Sequence, residues 1–179
     1  MILTGPQIHV EVARGRVVID PFTPAHIEPN SYGFRLGTTI LTYTDTELDA
    51  CRPPTVCATE IPSGGMVLDP GRLYLGESAE VLGSPIYAAT LHANRSTASM
   101  GMWIQFSADL GHTGAIIPWT LEIRVAQPVR IWPGMPIGKI AFWVTLGQRS
   151  AYCGRYARST GVRPSSLSSD FHLSRQDLS

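Results

Sequence analysis

WTLEIRV, running from Trp119 to Val125, alternates its side chains: Leu121, Ile123 and Val125 are apolar, Glu122 and Arg124 charged. A period of two residues marks a half-buried β-strand, so this stretch predicts one face against a core and a carboxylate standing on the other face of a rigid element. Short apolar runs of the same kind recur along the chain, as RVVID (16–20), FRLGTTILTY (34–43), MVLDPGRLYLG (66–76), MWIQFSA (102–108), VRIW (129–132) and KIAFWVTL (139–146). Seventeen glycines and fourteen prolines punctuate them. Many short strands broken by turn residues predict an all-β sandwich or barrel rather than alternating β and α units. One segment reads as a helix, Thr4 to Arg14, with Thr4 as N-cap, Pro6 in the first turn and Gly15 at the stop. A second short helical turn is expected over Ser96 to Met100.

A chain of 179 residues, 44% hydrophobic and 16% charged, suits one soluble domain. Fourteen basic and fourteen acidic side chains cancel, so no overall positive field draws nucleic acid or an anionic membrane, and any phosphate binding must be local. The N-terminus lacks the pattern of a secretory leader, and no apolar run approaches the roughly 20 residues that span a bilayer. A cytoplasmic protein is therefore expected. Cys51, Cys57 and Cys153 show no paired CxxC spacing and are expected as reduced thiols. The proline-rich stretch from Thr44 to Gly65 is expected as an excursion over the surface. After Leu146 the composition turns to Ser, Arg, Gly and Tyr, too poor in apolar residues for a core, so the tail is expected to be disordered or ordered by a ligand or neighbour.

Chemistry concentrates between His92 and Ile123, HANRSTASMGMWIQFSADLGHTGAIIPWTLEI. Asn94, Arg95, Ser96, Thr97 and Ser99 sit where free backbone N–H groups and hydroxyls can hold phosphate oxygens, although a simple helix cap and turn accounts for the same residues. Glu122 likewise fits either a solvated strand-face carboxylate or a catalytic one.

Several segments, taken in order, resemble the dCTP deaminase family, which is related to the trimeric dUTPases. They are PNSYGFRLG (29–37), VLDPGRLYLGESAE (67–80), the stretch from Gly101 to Glu122, WPGMPIGKIAF (132–142) and YCGRYARSTGVRPS (152–165). The resemblance implies a distorted β jelly roll or barrel of the dUTPase-like type with a short N-terminal helix. It implies a homotrimer with active sites between subunits. It divides the chain into a deaminase domain (1–150) and a C-terminal segment that closes over phosphates and ends in a flexible tail (151–179). Between Gly101 and Glu122 the family pattern fits without a gap. Ala108 falls on the alanine of the base pocket, Ser107 beside it, and Glu122 on the catalytic glutamate.

Hydrolytic deamination at C4 of cytosine needs a water deprotonated for attack, N3 protonated as the ring becomes tetrahedral, and a proton delivered to the leaving amine; one carboxylate can serve all three. The implied reaction is zinc-independent conversion of dCTP to dUTP and ammonia, with magnesium accompanying the phosphates and no metal held by the protein. Trp119 fits either stacking on the nucleoside or packing in a core or trimer contact. Tyr152, Arg155, Tyr156 and Ser159 fall on the family's phosphate-closing positions, Arg155 in place of a lysine and Ser159 in place of a glutamine.

Two departures stand out. Against the family pattern the serine and arginine are exchanged, as Arg95 and Ser99; because positions four apart share a helix face, the resemblance implies that Arg95 delivers its guanidinium where the other position does in relatives while Ser99 supplies the hydroxyl. His112 replaces an aspartate that in dUTPases activates the water attacking the phosphate chain, leaving Asp109 as a substitute carboxylate. Four alternatives stay open: a nucleotide pyrophosphatase, a bifunctional enzyme that continues to the monophosphate, a deaminase of a ribo-, monophosphate or 5-modified cytosine nucleotide, and a non-catalytic nucleotide sensor. A zinc deaminase requires His-x-Glu followed by Pro-Cys-x-x-Cys. His9 and Glu11 supply the first half, but Cys51 and Cys57 have the wrong spacing for the second.

Overall fold

The computed structural model describes residues 1–170. From the N-terminus its elements are α1 (Gly5–Ala13), β1 (Val18–Asp20), a 3-10 turn (Pro24–His26), β2 (Ile27–Glu28), β3 (Ser31–Arg35), β4 (Thr39–Tyr43), β5 (Val56–Glu60), β6 (Met66–Leu68), β7 (Tyr74–Gly83), β8 (Tyr87–Ala93), α2 (Arg95–Ser99), β9 (Met102–Trp103), β10 (Leu110–Gly111), β11 (Ile116–Val125), β12 (Val129–Ile131) and β13 (Pro136–Val144). A six-stranded sheet runs β5-β4-β7-β11-β9 with β1 added on β7, a five-stranded sheet runs β10-β8-β13-β3-β2, and β12 pairs with β6. Every pairing is antiparallel. The chain is thus mostly β with one short N-terminal helix, as its punctuation predicts.

One apolar cluster joins the two larger sheets: Phe34, Leu91, Ile140 and Phe142 from the five-stranded sheet meet Ile40, Leu82, Leu121 and Ile123 from the six-stranded one. The alternation of WTLEIRV is realised as expected, with Leu121, Ile123 and Val125 buried. The sheets are also tied by charge. On β3, Arg35 donates its backbone N–H (2.9 Å) and its Nε (2.7 Å) to the carboxylate of Glu80 on β7. Glu80 is fully buried.

α1 begins after Thr4, whose side chain makes no capping hydrogen bond, and stops where Gly15 takes φ +66°, a conformation that glycine adopts without steric cost. It docks through Ile8 and Glu11, both fully buried. Gln7, Arg16 and the Tyr87 hydroxyl all donate to Glu11. The Arg16 guanidinium holds its carboxyl below the usual range, against the opposing effect of burial. His9 packs its ring against Phe22 instead. The His-x-Glu pair is therefore spent on helix docking, and among the described residues no three His, Cys, Asp or Glu side chains gather as a metal site.

Two sequence expectations change. The stretch from Thr44 to Gly65 contains β5, which pairs with β4 over Val56 to Glu60 and leaves most of its side chains exposed. An edge strand needs only its backbone ladder, so low apolar content does not preclude it. The C-terminal segment folds onto its own chain: Tyr152 N–H donates to the Thr113 carbonyl, Arg163 N–H to the Thr120 hydroxyl and Ser165 N–H to the Tyr43 hydroxyl. Hydrogen bonds and aromatic contacts order it where apolar density does not. The end of the expected flexible tail, 171–179, lies outside the described residues. Among the described residues no helix is long and apolar enough to cross a membrane.

Candidate active site

The outer face of the six-stranded sheet is the floor of the site. Glu122 sits opposite Leu75 of β7, and Thr120 opposite Glu77. Leu41 and Leu75 are buried yet lie outside the core cluster, because the C-terminal segment crosses this face and roofs it. Between floor and roof is a cavity of about 390 Å³, the order of size of a small-molecule site. Glu122 enters it half-buried, with one carboxylate oxygen accepting the Phe106 N–H at 3.3 Å. Its backbone N–H is bonded to the Ile104 carbonyl at 2.9 Å, which locks this part of β11 to the loop that carries Ala108. A carboxylate on a strand fixed from both sides is preorganised for proton transfer.

A register shift between Pro118 and Thr120 turns Trp119 out of the regular alternation. Its N–H donates to the Ser78 hydroxyl at 2.8 Å and its indole N–H to the Leu82 carbonyl at 2.9 Å. The ring packs against the core and also lines the cavity. Gly111 makes room for it: a Cβ there falls 2.8 Å from the ring.

Of the residues singled out in the sequence, Glu122, Ala108, Trp119, Tyr152, Tyr156 and Ser159 converge on this one cavity. Tyr152 stacks on His112, ring centroids 5.4 Å apart, and both line the wall. Ser159 is buried and donates its hydroxyl to the Tyr156 carbonyl, so it shapes the roof. Ser107 and Asp109 flank Ala108 on an exposed loop without lining the cavity. Arg155 is turned outward, with Nε 2.8 Å from Asp170 and a second nitrogen 2.6 Å from the Ser169 carbonyl. Asn94 precedes α2, and Arg95, Ser96 and Ser99 are exposed on it; none of the four lines the cavity of its own chain.

Gln105, Thr120, Tyr43 and Arg163 also line the cavity. Thr120 was within reach of the sequence, because the same period of two that exposes Glu122 exposes it. Gln105 donates its amide to the Thr120 carbonyl at 3.1 Å, while its side-chain oxygen is buried with no hydrogen-bond partner among the described residues. Arg163 comes from the roof and Tyr43 from the end of β4, where its hydroxyl accepts the Ser165 N–H of the roof; no local pattern announces either contact.

Beside the cavity, Glu77 faces the Val162 N–H and lies near Gly161 of the roof. Burial pushes its carboxyl above the usual range; the Val162 N–H opposes that shift, and the Glu60 charge reinforces it. A raised value in the docked state means that docking is favoured by protonation. The roof should hold tightest below the ordinary carboxylate range and loosen as pH rises through the raised value. Hydrogen-exchange protection of residues 161–165, corrected for intrinsic rates, should therefore fall between acid and neutral pH. In Glu77→Gln it should stay high and flat; protection that rises with pH in the wild-type protein contradicts this account.

The family model described as "dCTP deaminase-like" matches residues 2–145. A dCTP deaminase (dUMP-forming) from Cytophaga hutchinsonii is 35% identical over 172 residues, covering 96% of this chain and 99% of its own. A dCTP deaminase from Rhodopirellula baltica is 34% identical over 166 residues, covering 92% of this chain and 83% of its own. The crystal structure of 2'-deoxycytidine 5'-triphosphate deaminase from Agrobacterium tumefaciens superposes with a TM-score of 0.64 at 19% identity, over 80% of this chain and 48% of that one. This chain thus spans about half of that structure, and the likeness concerns the fold. The matched family segment contains both the strand that carries Glu122 and the loop that carries Ala108, and on that full-length similarity the chain belongs to the dCTP deaminase-like family.

Proposed function

We propose that this chain is a hydrolase that deaminates a cytosine nucleotide without zinc, taking dCTP, as its magnesium complex, to dUTP and ammonia. The observation that carries this reading is Glu122, fixed on β11 with its carboxylate opening into a nucleoside-sized cavity beside Ala108. Glu122 takes a proton from water as the oxygen attacks C4, passes it to N3, and the tetrahedral centre collapses as the amine leaves with a second proton relayed through the same carboxylate. The C4 carbonyl and ammonia are the products. Trp119 and the apolar wall at Leu75 and Ile117 exclude bulk water from the ring.

The catalytic assignment of Arg95 and Ser99 goes with a homotrimer whose sites lie between subunits. Two facts support it: the exposed Arg95 and Ser99 do not line the Glu122 cavity of their own chain, and Met100, Trp103 and Phe106 nearby are large apolar side chains left about half exposed. The neighbour's α2 then supplies the arginine and the hydroxyl.

A second reading, deamination followed by hydrolysis to dUMP, is favoured by the relatives, several of which are named as dUMP-forming. His112 on the cavity wall, where the family pattern has an aspartate, favours stopping at dUTP. Incubation with dCTP, CTP, dCMP and 5-methyl-dCTP, scored for ammonia and pyrophosphate, separates them. Ammonia from dCTP without pyrophosphate is expected. Equal amounts of the two establish the bifunctional reaction, and no ammonia from any cytosine nucleotide overturns the proposal.

A further inference from the structure

The position that by family pattern should hold the phosphate chain is already occupied with other business. Arg155 donates from Nε to Asp170 and from a second nitrogen to the Ser169 carbonyl, and it does not line the cavity. The cavity wall carries two formally charged side chains, Glu122 and Arg163. Arg163 is held at its backbone, where its N–H donates to the Thr120 hydroxyl at 3.0 Å, and Thr120 stands two residues from Glu122 on the same face of β11. Pro164 follows and restricts Arg163 to extended conformations, and the Ser165 N–H is tied to the Tyr43 hydroxyl at 3.0 Å. The guanidinium therefore springs from a fixed point of the roof. Among the described residues no carboxylate lies within ion-pair distance of it. Tyr156, which accepts the Ser166 N–H on its hydroxyl, keeps its own proton to donate into the same wall.

We infer that Arg163, rather than Arg155, binds the polyphosphate of the substrate and makes this enzyme prefer a triphosphate to a monophosphate. An arginine fork with no ion-pair partner among the described residues, on the same cavity wall as a tyrosine hydroxyl donor, matches phosphate oxygens in geometry and charge. The inference rests on the deaminase reading above, and the test separates the two.

Two measurements apply to wild type, Arg163→Ala, Arg163→Lys and Arg155→Ala. The first is steady-state ammonia release from dCTP and dCMP. For dCTP, KM should rise by about tenfold or more in Arg163→Ala with kcat little changed, as loss of one charge-assisted contact implies. It should rise less in Arg155→Ala, recover in part in Arg163→Lys, and for dCMP move by less than about twofold. The second is calorimetric binding of magnesium tripolyphosphate, which needs no chemistry on the base and should weaken by about tenfold or more in Arg163→Ala. A wild type that binds tripolyphosphate through Arg163 yet releases no ammonia sinks the deaminase reading and leaves the phosphate site standing. Unchanged affinity and KM in Arg163→Ala, or a larger effect in Arg155→Ala, overturns the inference.

Discussion

Glu122→Gln is expected to lower kcat for ammonia release by about 10²–10⁴-fold, the usual contribution of a positioned general acid and base. Glutamine has nearly the shape of glutamate and its side-chain oxygen still accepts the Phe106 N–H, so the loop between β9 and β10 keeps its anchor. What disappears is a group that can take a proton from water and return it. KM and thermal stability should therefore change little while kcat collapses, the pattern of an interaction made only on the way to the transition state. At about 1.36 kcal/mol per tenfold, the loss corresponds to roughly 3–5 kcal/mol of barrier. A variant that deaminates at the wild-type rate removes Glu122 from the mechanism, and one that fails to bind nucleotide assigns it to binding.

The largest expected effect on stability is at Glu80→Ala. Its fully buried carboxylate accepts both the backbone N–H and the Nε of Arg35, so truncation strands two donors between the sheets. Breaking a buried pair from one side costs about 3–5 kcal/mol, and the lower end applies because Arg35 keeps 33% of its side chain in water. Urea unfolding at matched protein concentration should show a loss of about 3 kcal/mol, with Glu80→Gln losing less because it retains an acceptor. A loss under about 1 kcal/mol in Glu80→Ala means that water or a rearranged Arg35 compensates for the missing carboxylate.

That pair also gives a structural role to two of the sequence motifs. PNSYGFRLG contains Arg35 and VLDPGRLYLGESAE contains Glu80, and the structure shows them as the two halves of one bridge between β3 and β7. Neither segment hints at the other in sequence. Glu11 is a similar case: within HVE it reads as half of a zinc motif, while in the fold it is the buried acceptor for Gln7, Arg16 and Tyr87.

The strands that fall in the short apolar runs, the helix stop at Gly15 and the outward face of Glu122 follow from the sequence alone, because periodicity and turn chemistry act over a few residues; β5 and β8 do not. Ala108 and Trp119 come into the reading as site residues only through the family resemblance, which fits without a gap over a stretch nearly continuous in the chain. What only the tertiary structure decided was the roof. Whether the polar segment after Leu146 is loose or docked depends on hydroxyls at Tyr43 and Thr120 and a carbonyl at Thr113, all distant in sequence, each meeting a single backbone N–H. Hydrogen bonds between remote partners leave no periodic trace, so the docked roof, the outward turn of Arg155 and the place of Arg163 at the cavity rim appear only once the sheet has brought those acceptors onto one face.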